Sequence, residues 1–430
     1  MKIAYSGHKI VVGKTLRQLL VWYFIALAFT YPYGLEISSD NFIRFPDFVA
    51  MAISGFGITA WLMLGKSQLK LKPFLPILPF FLMEIIFPLI GVIYYQSLSA
   101  AFSSARVLLL YLPVIVRPFF LNVKSAYQLD FKLEKLFKVV ILANFFYCIV
   151  QLAVSIGILP DFLLITNGLA PWAADAHFNQ VSGFRISGFF VNVSALAAFG
   201  IITMSYFLAK FQVTKKGQYL VYFMISLLLI MLSTSRSGYV AAILIILVSL
   251  VTSGIKKSLK LSVVIAASCL VLVLILNSYL DIDYGVFFSR FVRIQENGLE
   301  QDYSWRTRVQ VAWPSVLARL GRYPWGTFIP SFKLFGVIDS GYLTYFAQGK
   351  WIFIGGFISS FLGILLTSFR TKNASKKWSV IFLRYLLIYI STAMVVNNPM
   401  RSPFVIFALL YGLWFLSIEK NPIAKRLHYK

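Results

Sequence analysis

The chain has 430 residues, 59% of them apolar and only 13% charged, with a mean hydropathy of +0.79. That balance excludes an ordinary soluble globular domain and divides the chain by bilayer thickness, at about 20 apolar residues per spanning helix. The net charge of +25 matches that of many nucleic-acid binders, but its placement argues against that class.

In chain order, apolar runs predict spans over 17–33, 45–64, 74–95, 104–121, 138–158, 188–209, 218–234, 237–253, 260–277, 351–369, 378–396 and 402–418. The first follows Lys2, Lys9, Lys14 and Arg17, and no small-residue cleavage site comes after it, so it reads as a retained signal-anchor. Polar residues Thr234 to Gly238 divide two runs, because Arg236 would be costly at the bilayer centre. Cys148 and Cys269 lie in apolar runs and are too few for a disulfide framework. The expected fold is all-α: one polytopic membrane domain over 1–430 with about 12 transmembrane helices.

Loop charge sets the expected orientation. With both termini cytoplasmic, every inner connection is basic, and the inner side carries 22 Lys and 4 Arg. The outer side carries 2 Lys and 11 Arg, with 11 of the acidic residues. Inner lysines serve orientation and anionic lipid. Nothing in membrane insertion requires arginine outside, whereas its planar fork suits phosphate and carboxylate. Neither population fits nucleic acid. Two outer loops are long, 159–187 and 278–349, and the second holds 16 aromatic residues in its 72. It is too apolar for a disordered linker, so helices along the outer membrane surface are expected there.

The candidate anion ligands are Arg106, Arg185, Arg236 and Arg401 at the outer ends of predicted spans, with Arg290, Arg293, Arg306, Arg308, Arg319 and Arg322 in the long loop. Their bland alternative is snorkelling to lipid headgroups. Trp305, Trp313 and Tyr342 could stack on sugar faces, or simply anchor the chain at the interface. Candidate proton acceptors are Asp175, His177, Glu296, Glu300, Asp302 and Asp339, and His177 is the one histidine on the outer side. No His/Cys cluster and no close acidic set suggests a metal. Glu84, within a predicted span, is either functional or a protonated structural group, and Arg384 is expected to snorkel inward.

Three stretches carry a resemblance. The first runs from Gly183 through Arg185, Gly188 and Asn192 to Gly200, and the second is Leu232 to Gly238 around Arg236. The third links Trp305, Arg306, Trp313, Pro324, Trp325, Gly326, Asp339, Tyr342, Leu343 and Gly349. Over roughly residues 140–400 their order resembles the O-antigen polymerase (Wzy-type) and O-antigen ligase superfamily of bacterial envelope proteins. The resemblance implies a glycosyltransferase of the bacterial inner membrane that faces the periplasm. It would move a growing glycan from undecaprenyl diphosphate onto an incoming lipid-linked repeat unit, with no metal or cofactor. It also implies a chain-length-regulating co-polymerase and a flippase as partners. Its functional arginines map onto Arg185 and, in the second loop, onto Arg290, Arg293 or Arg306. Ligases of the superfamily place a histidine in that loop; here it has none, and Asp339 stands near the corresponding place. That favours polymerase over ligase. From another class, a 12-helix transporter or lipid-glycan flippase is the alternative. Against it stand the outer position of the long loop and the scarcity of ionisable residues within the spans.

Overall fold

A computed structural model describes residues 2–29, 34–38, 41–64, 72–95, 123–155, 157–164, 186–190, 192–252, 259, 262–268, 270, 303–329, 332–335, 338–371 and 377–419. The predicted span 104–121, most of 260–277, most of the first long loop and residues 278–302 of the second lie outside the described residues.

The described chain is helical apart from one hairpin, in which β1 (Gly34–Ser38) pairs antiparallel with β2 (Asn41–Arg44) and shifts register between Glu36 and Ser38. The all-α expectation placed no strands there. The first helices are α1 (Lys2–Phe29), α2 (Phe45–Leu64), α3 (Leu78–Tyr95, after a 3-10 turn Lys72–Ile77) and α4 (Val123–Ser155). Then come α5 (Val193–Thr214), α6 (Gln218–Leu232) and α7 (Arg236–Thr252). Next follow α8 (Tyr303–Arg306), a π-helical segment Thr307–Ala312, α9 (Trp313–Leu320) and α10 (Phe332–Phe335). The last are α11 (Gly341–Phe369), α12 (Trp378–Ala393) and α13 (Pro403–Glu419). By length and composition, four helical segments can cross a bilayer: Lys72–Tyr94, Tyr127–Val154, Val193–Thr214 and Gly341–Phe369. Shorter apolar helices occupy Phe45–Ala60, Gln218–Leu232, Arg236–Thr252, Trp378–Ala393 and Pro403–Ile418. These are the helices of a membrane-associated protein.

Two compact units divide the chain: Met1–Val140, Gly356–Leu387 and Met400–Lys430 form one, and Ile141–Gly355 with Ile388–Pro399 the other. In the first, the α1 stripe Leu16, Leu20, Tyr23, Phe24 and Leu27 is buried, and Phe24 meets Phe137 and Phe404 edge-on. The α11 positions Gly356, Ser360 and Gly363 recur at helical spacing and let α3 approach closely. A Cβ on Gly356 would come within 2.6 Å of Met83, and one on Gly363 within 3.2 Å of the Pro76 carbonyl. Ser360 Oγ then accepts from the Phe80 N–H at 2.8 Å, one of the first-turn donors that a helix leaves unpaired. At the other end of α11, Arg384 donates to Ser368 Oγ and to the Ser368 carbonyl, both at 3.3 Å, and lies 4.5 Å over the Phe369 ring. It serves as a cation at a helix C-terminus, where the dipole favours one.

In the second unit α5 is buried on all sides, without interruption from Leu196 to Phe211. Such a helix is central rather than peripheral. Gly200 and Gly238 make room for it: a Cβ on the first would come within 2.7 Å of Ile230, and on the second within 3.0 Å of Ala197. The chain breaks between α6 and α7 at the polar residues expected to divide them. There Thr234 takes φ +51°, Ser233 Oγ donates to the Ile230 carbonyl at 2.6 Å, and the Tyr239 hydroxyl donates to the Met231 carbonyl.

Candidate functional site

Arg106, Arg185, Arg290, Arg293 and His177 lie outside the described residues, as do the other proposed bases Asp175, Glu296, Glu300 and Asp302. Two places in the second unit bear on the remaining candidates, the segment after Arg185 and residues 303–350; Arg236 begins α7 in the same unit, and Arg401 lies in the first unit.

The first place is the segment directly after Arg185. Gly188 takes φ +59°, a backbone conformation that a side chain disfavours, and it is pinned to α4. Its N–H donates to Gln151 Oε1 at 2.8 Å, and Gln151 Nε2 donates back to its carbonyl at 3.1 Å. The Phe189 N–H donates to Asn144 Oδ1 at 3.0 Å, and the Phe189 ring stacks on Tyr147 with centroids 4.4 Å apart. Asn144 and Gln151 are buried, seven residues apart on one helix face, so each needs the partner it has. Asn192 then caps α5, its Oδ1 accepting from the Ala195 N–H at 2.8 Å. The clamp anchors the chain on the C-terminal side of Arg185. Sequence reading passed over Asn144 and Gln151. Two amides in an apolar helix at seven-residue spacing are the signal that could have found them.

The second place is a platform built from residues 303–350. Trp305 and Trp313 meet edge-to-face at 5.8 Å, with the π-helical turn between them. Such turns are uncommon and often sit at functional positions. This one carries Arg308, whose Nε donates to Asp339 Oδ2 at 2.8 Å; the two side chains are 26% and 43% exposed. Val316 and Leu320 of α9 pack on Ala347, with Phe335, Ile338, Leu343 and Phe346 around them. The Thr327 and Phe328 N–H groups donate to the carbonyls of Ala347 and Gln348, each at 2.9 Å. Gly326 makes that approach possible: it takes φ +90°, and a Cβ there would stand 2.6 Å from the Gln348 oxygen. α11 is broken beside this contact, at Gly349 and Lys350, and Lys350 takes φ +51°. Its Nζ donates to the Leu320 carbonyl at 2.9 Å, which caps α9. The break falls where the second long loop was expected to end.

Gly341 begins α11 against the end of α12. Its N–H donates to the carbonyls of Met394 (2.9 Å) and Asn397 (3.0 Å), and the Tyr342 hydroxyl donates to the Ser391 carbonyl at 3.2 Å. The positive end of one helix is thus met by the negative end of another, and the backbone donors of Gly341 and Tyr342 are occupied. An anion at this platform must be held by side chains. Those available are Arg306, Arg319 and Arg322, all exposed, while Asp339 is the only acidic residue from 303 to 350 and is engaged by Arg308.

Arg236 and Arg401 share a different setting. Arg236 is the first residue of α7, and Arg401 ends the 3-10 turn Pro399–Arg401 just before α13. Both are half-buried, and Arg401 Nε is shielded from solvent without an acceptor among the described residues. A helix N-terminus repels cations, so neither position is explained by helix stability. The structure thus joins Arg308 to Asp339 and ties Tyr342 to Ser391. Arg236 and Arg401 are held at separate helix starts, and Arg306 is presented to the surface.

No family model matches the chain, and no curated protein matches its sequence.

Proposed function

We propose that the protein is a membrane glycosyltransferase that polymerises undecaprenyl-diphosphate-linked oligosaccharide repeat units into O-antigen or a related surface polysaccharide. In this reading about 12 helices span the bacterial inner membrane, both termini are cytoplasmic and the loops 159–187 and 278–349 face the periplasm. The observation that carries it is the placement of Arg236 and Arg401 at helix N-termini, with Arg401 Nε buried and lacking an acceptor. Dipole and guanidinium act together there on one kind of ligand, an anion. The excess of exposed arginine over carboxylate on the platform adds to the same preference. A diphosphate at the edge of the outer leaflet fits, since arginine binds phosphate bidentately and stabilises charge as the diphosphate leaves.

The roles are assigned by side-chain chemistry. Arg185, Arg236, Arg290, Arg293 and Arg306 of the second unit bind phosphate of the lipid-linked substrates, and Arg106 and Arg401 of the first unit are anion ligands of the same kind. Trp305, Trp313 and Tyr342 present aromatic faces to the glycan. Asp339, oriented by Arg308, is the general base that removes the proton of the attacking sugar hydroxyl, with His177 the alternative base. The missing histidine in the long loop favours polymerisation over ligation to lipid A core. A strain deleted for the protein provides the test, read by gel electrophoresis of its glycan. A single repeat on the acceptor is expected, and it should be restored to full chains by the wild-type protein but not by Arg236→Ala, Arg306→Ala or Arg185→Ala at equal protein level. Full-length polymer left on undecaprenyl diphosphate would instead make the protein a ligase. Wild-type chains in all three variants would remove the site assignment.

A further inference from the structure

One polar site in the second unit has no part in the charge-binding scheme. Gln348 is 1% exposed, and its Oε1 is buried with no hydrogen-bond partner among the described residues. Asn398 has its Oδ1 occupied by the Tyr345 hydroxyl at 3.2 Å, while its Nδ2 is buried without an acceptor. Tyr345 connects the two: it bonds Asn398 directly and sits three residues before Gln348 on the same face of α11. Tyr345 is itself fully buried and stacked on Phe353, with centroids 4.8 Å apart. So one carboxamide oxygen and one carboxamide N–H remain open beside a fixed aromatic residue.

Buried polar groups are nearly always paired, and an apolar side chain of the same size would fill the Gln348 position without leaving its Oε1 unpaired. The open pair calls for a ligand group that offers one donor and one acceptor. It must be neutral, because Oε1 repels an anion and the cation that follows Gln348 in the chain, Lys350, is turned to the Leu320 carbonyl. We propose that Gln348 and Asn398 form a sugar-recognition subsite: Gln348 Oε1 accepts from, and Asn398 Nδ2 donates to, a ring hydroxyl or an acetamido group of the repeat unit. This deepens the glycan-transfer reading and rests on it, with the arginines holding charge and this pair selecting the sugar.

The test uses the full chain in lipid nanodiscs, with glucose and N-acetylglucosamine as probes in saturation-transfer NMR. Wild type gives a signal with at least one of them, and the stronger probe assigns the hydroxyl or the acetamido group. Gln348→Leu and Asn398→Leu each lower that signal at least fivefold; the Tm stays level or rises in Gln348→Leu, because an unpaired polar group has gone, and falls in Asn398→Leu, which removes the acceptor of the Tyr345 hydroxyl. No signal from either sugar in wild type overturns the proposal, and so does an unchanged signal in both variants. A Tm that falls by several degrees in Gln348→Leu also overturns it, by showing a structural water only. The deletion strain separates the two readings. If it still made full-length polymer on undecaprenyl diphosphate while the sugar signal depended on Gln348, the polymerase reading would fall and the subsite would stand.

Discussion

Both ends of the Gln151 carboxamide are spent on a single residue, Gly188, which lies 37 positions along the chain. The oxygen takes the glycine N–H and the amide nitrogen gives to the glycine carbonyl, so neither backbone group enters the apolar interior unpaired. The arrangement leaves no space for a side chain, since a Cβ on Gly188 would come within 2.5 Å of Asn144 Oδ1.

Gly188→Ala is therefore expected to cost about 2 kcal/mol or more, from the left-handed backbone together with the clash. Gln151→Leu strands two buried backbone groups, at about 1–3 kcal/mol. Thermal unfolding of the purified protein measures both, and a Tm equal to wild type in either variant would dismiss the clamp.

The pair of Arg308 and Asp339 predicts the opposite balance. Both side chains are part exposed, so Arg308→Ala or Asp339→Asn should change stability by less than about 1 kcal/mol. Each should nonetheless remove long glycan chains. The exchanged variant Arg308→Asp with Asp339→Arg should keep stability near wild type and leave the chains absent, because the carboxylate has moved. Full chains from Asp339→Asn would exclude Asp339 as the base.

Gly326 and Lys350 hold the break in α11. Gly326→Ala meets the Gln348 carbonyl at a backbone angle that disfavours alanine, with an expected loss of about 3 kcal/mol. Lys350→Met removes one cap from the C-terminus of α9, worth about 1 kcal/mol. Thermal shift should rank the two variants in that order, and the reverse ranking would contradict the assignment.

Arg384→Gln tests a purely structural arginine. Its loss frees the Ser368 carbonyl and the Phe369 ring, so a lower Tm is expected with the glycan ladder unchanged in length. A shortened ladder at normal protein level would give Arg384 a role in the reaction.

Much of the helical plan was legible because hydrophobic runs and polar breaks are local properties. The runs at 45–64 and 218–234 reappear as Phe45–Leu64 and Gln218–Leu232, and the break before Arg236 follows from Ser233 to Ser235. Arg384 was expected to reach for the membrane surface, but its partner is the end of a neighbouring helix, which no pattern within α12 could reveal. Likewise Asp339 was set apart from the other outer carboxylates only by the resemblance, and its pairing with Arg308 of the π-helical turn is a tertiary contact.

Composition alone decided that this chain belongs with membranes, because apolar content and the length of each run determine the solvent a helix can tolerate. Only the tertiary structure decided what its buried polar residues do. Asn144, Gln151, Gln348 and Asn398 acquire meaning from partners, or from open hydrogen-bonding groups, that are set by packing between distant segments. A hydrogen bond needs its two atoms within about 3 Å, and that condition is created by the fold and not by neighbours in sequence.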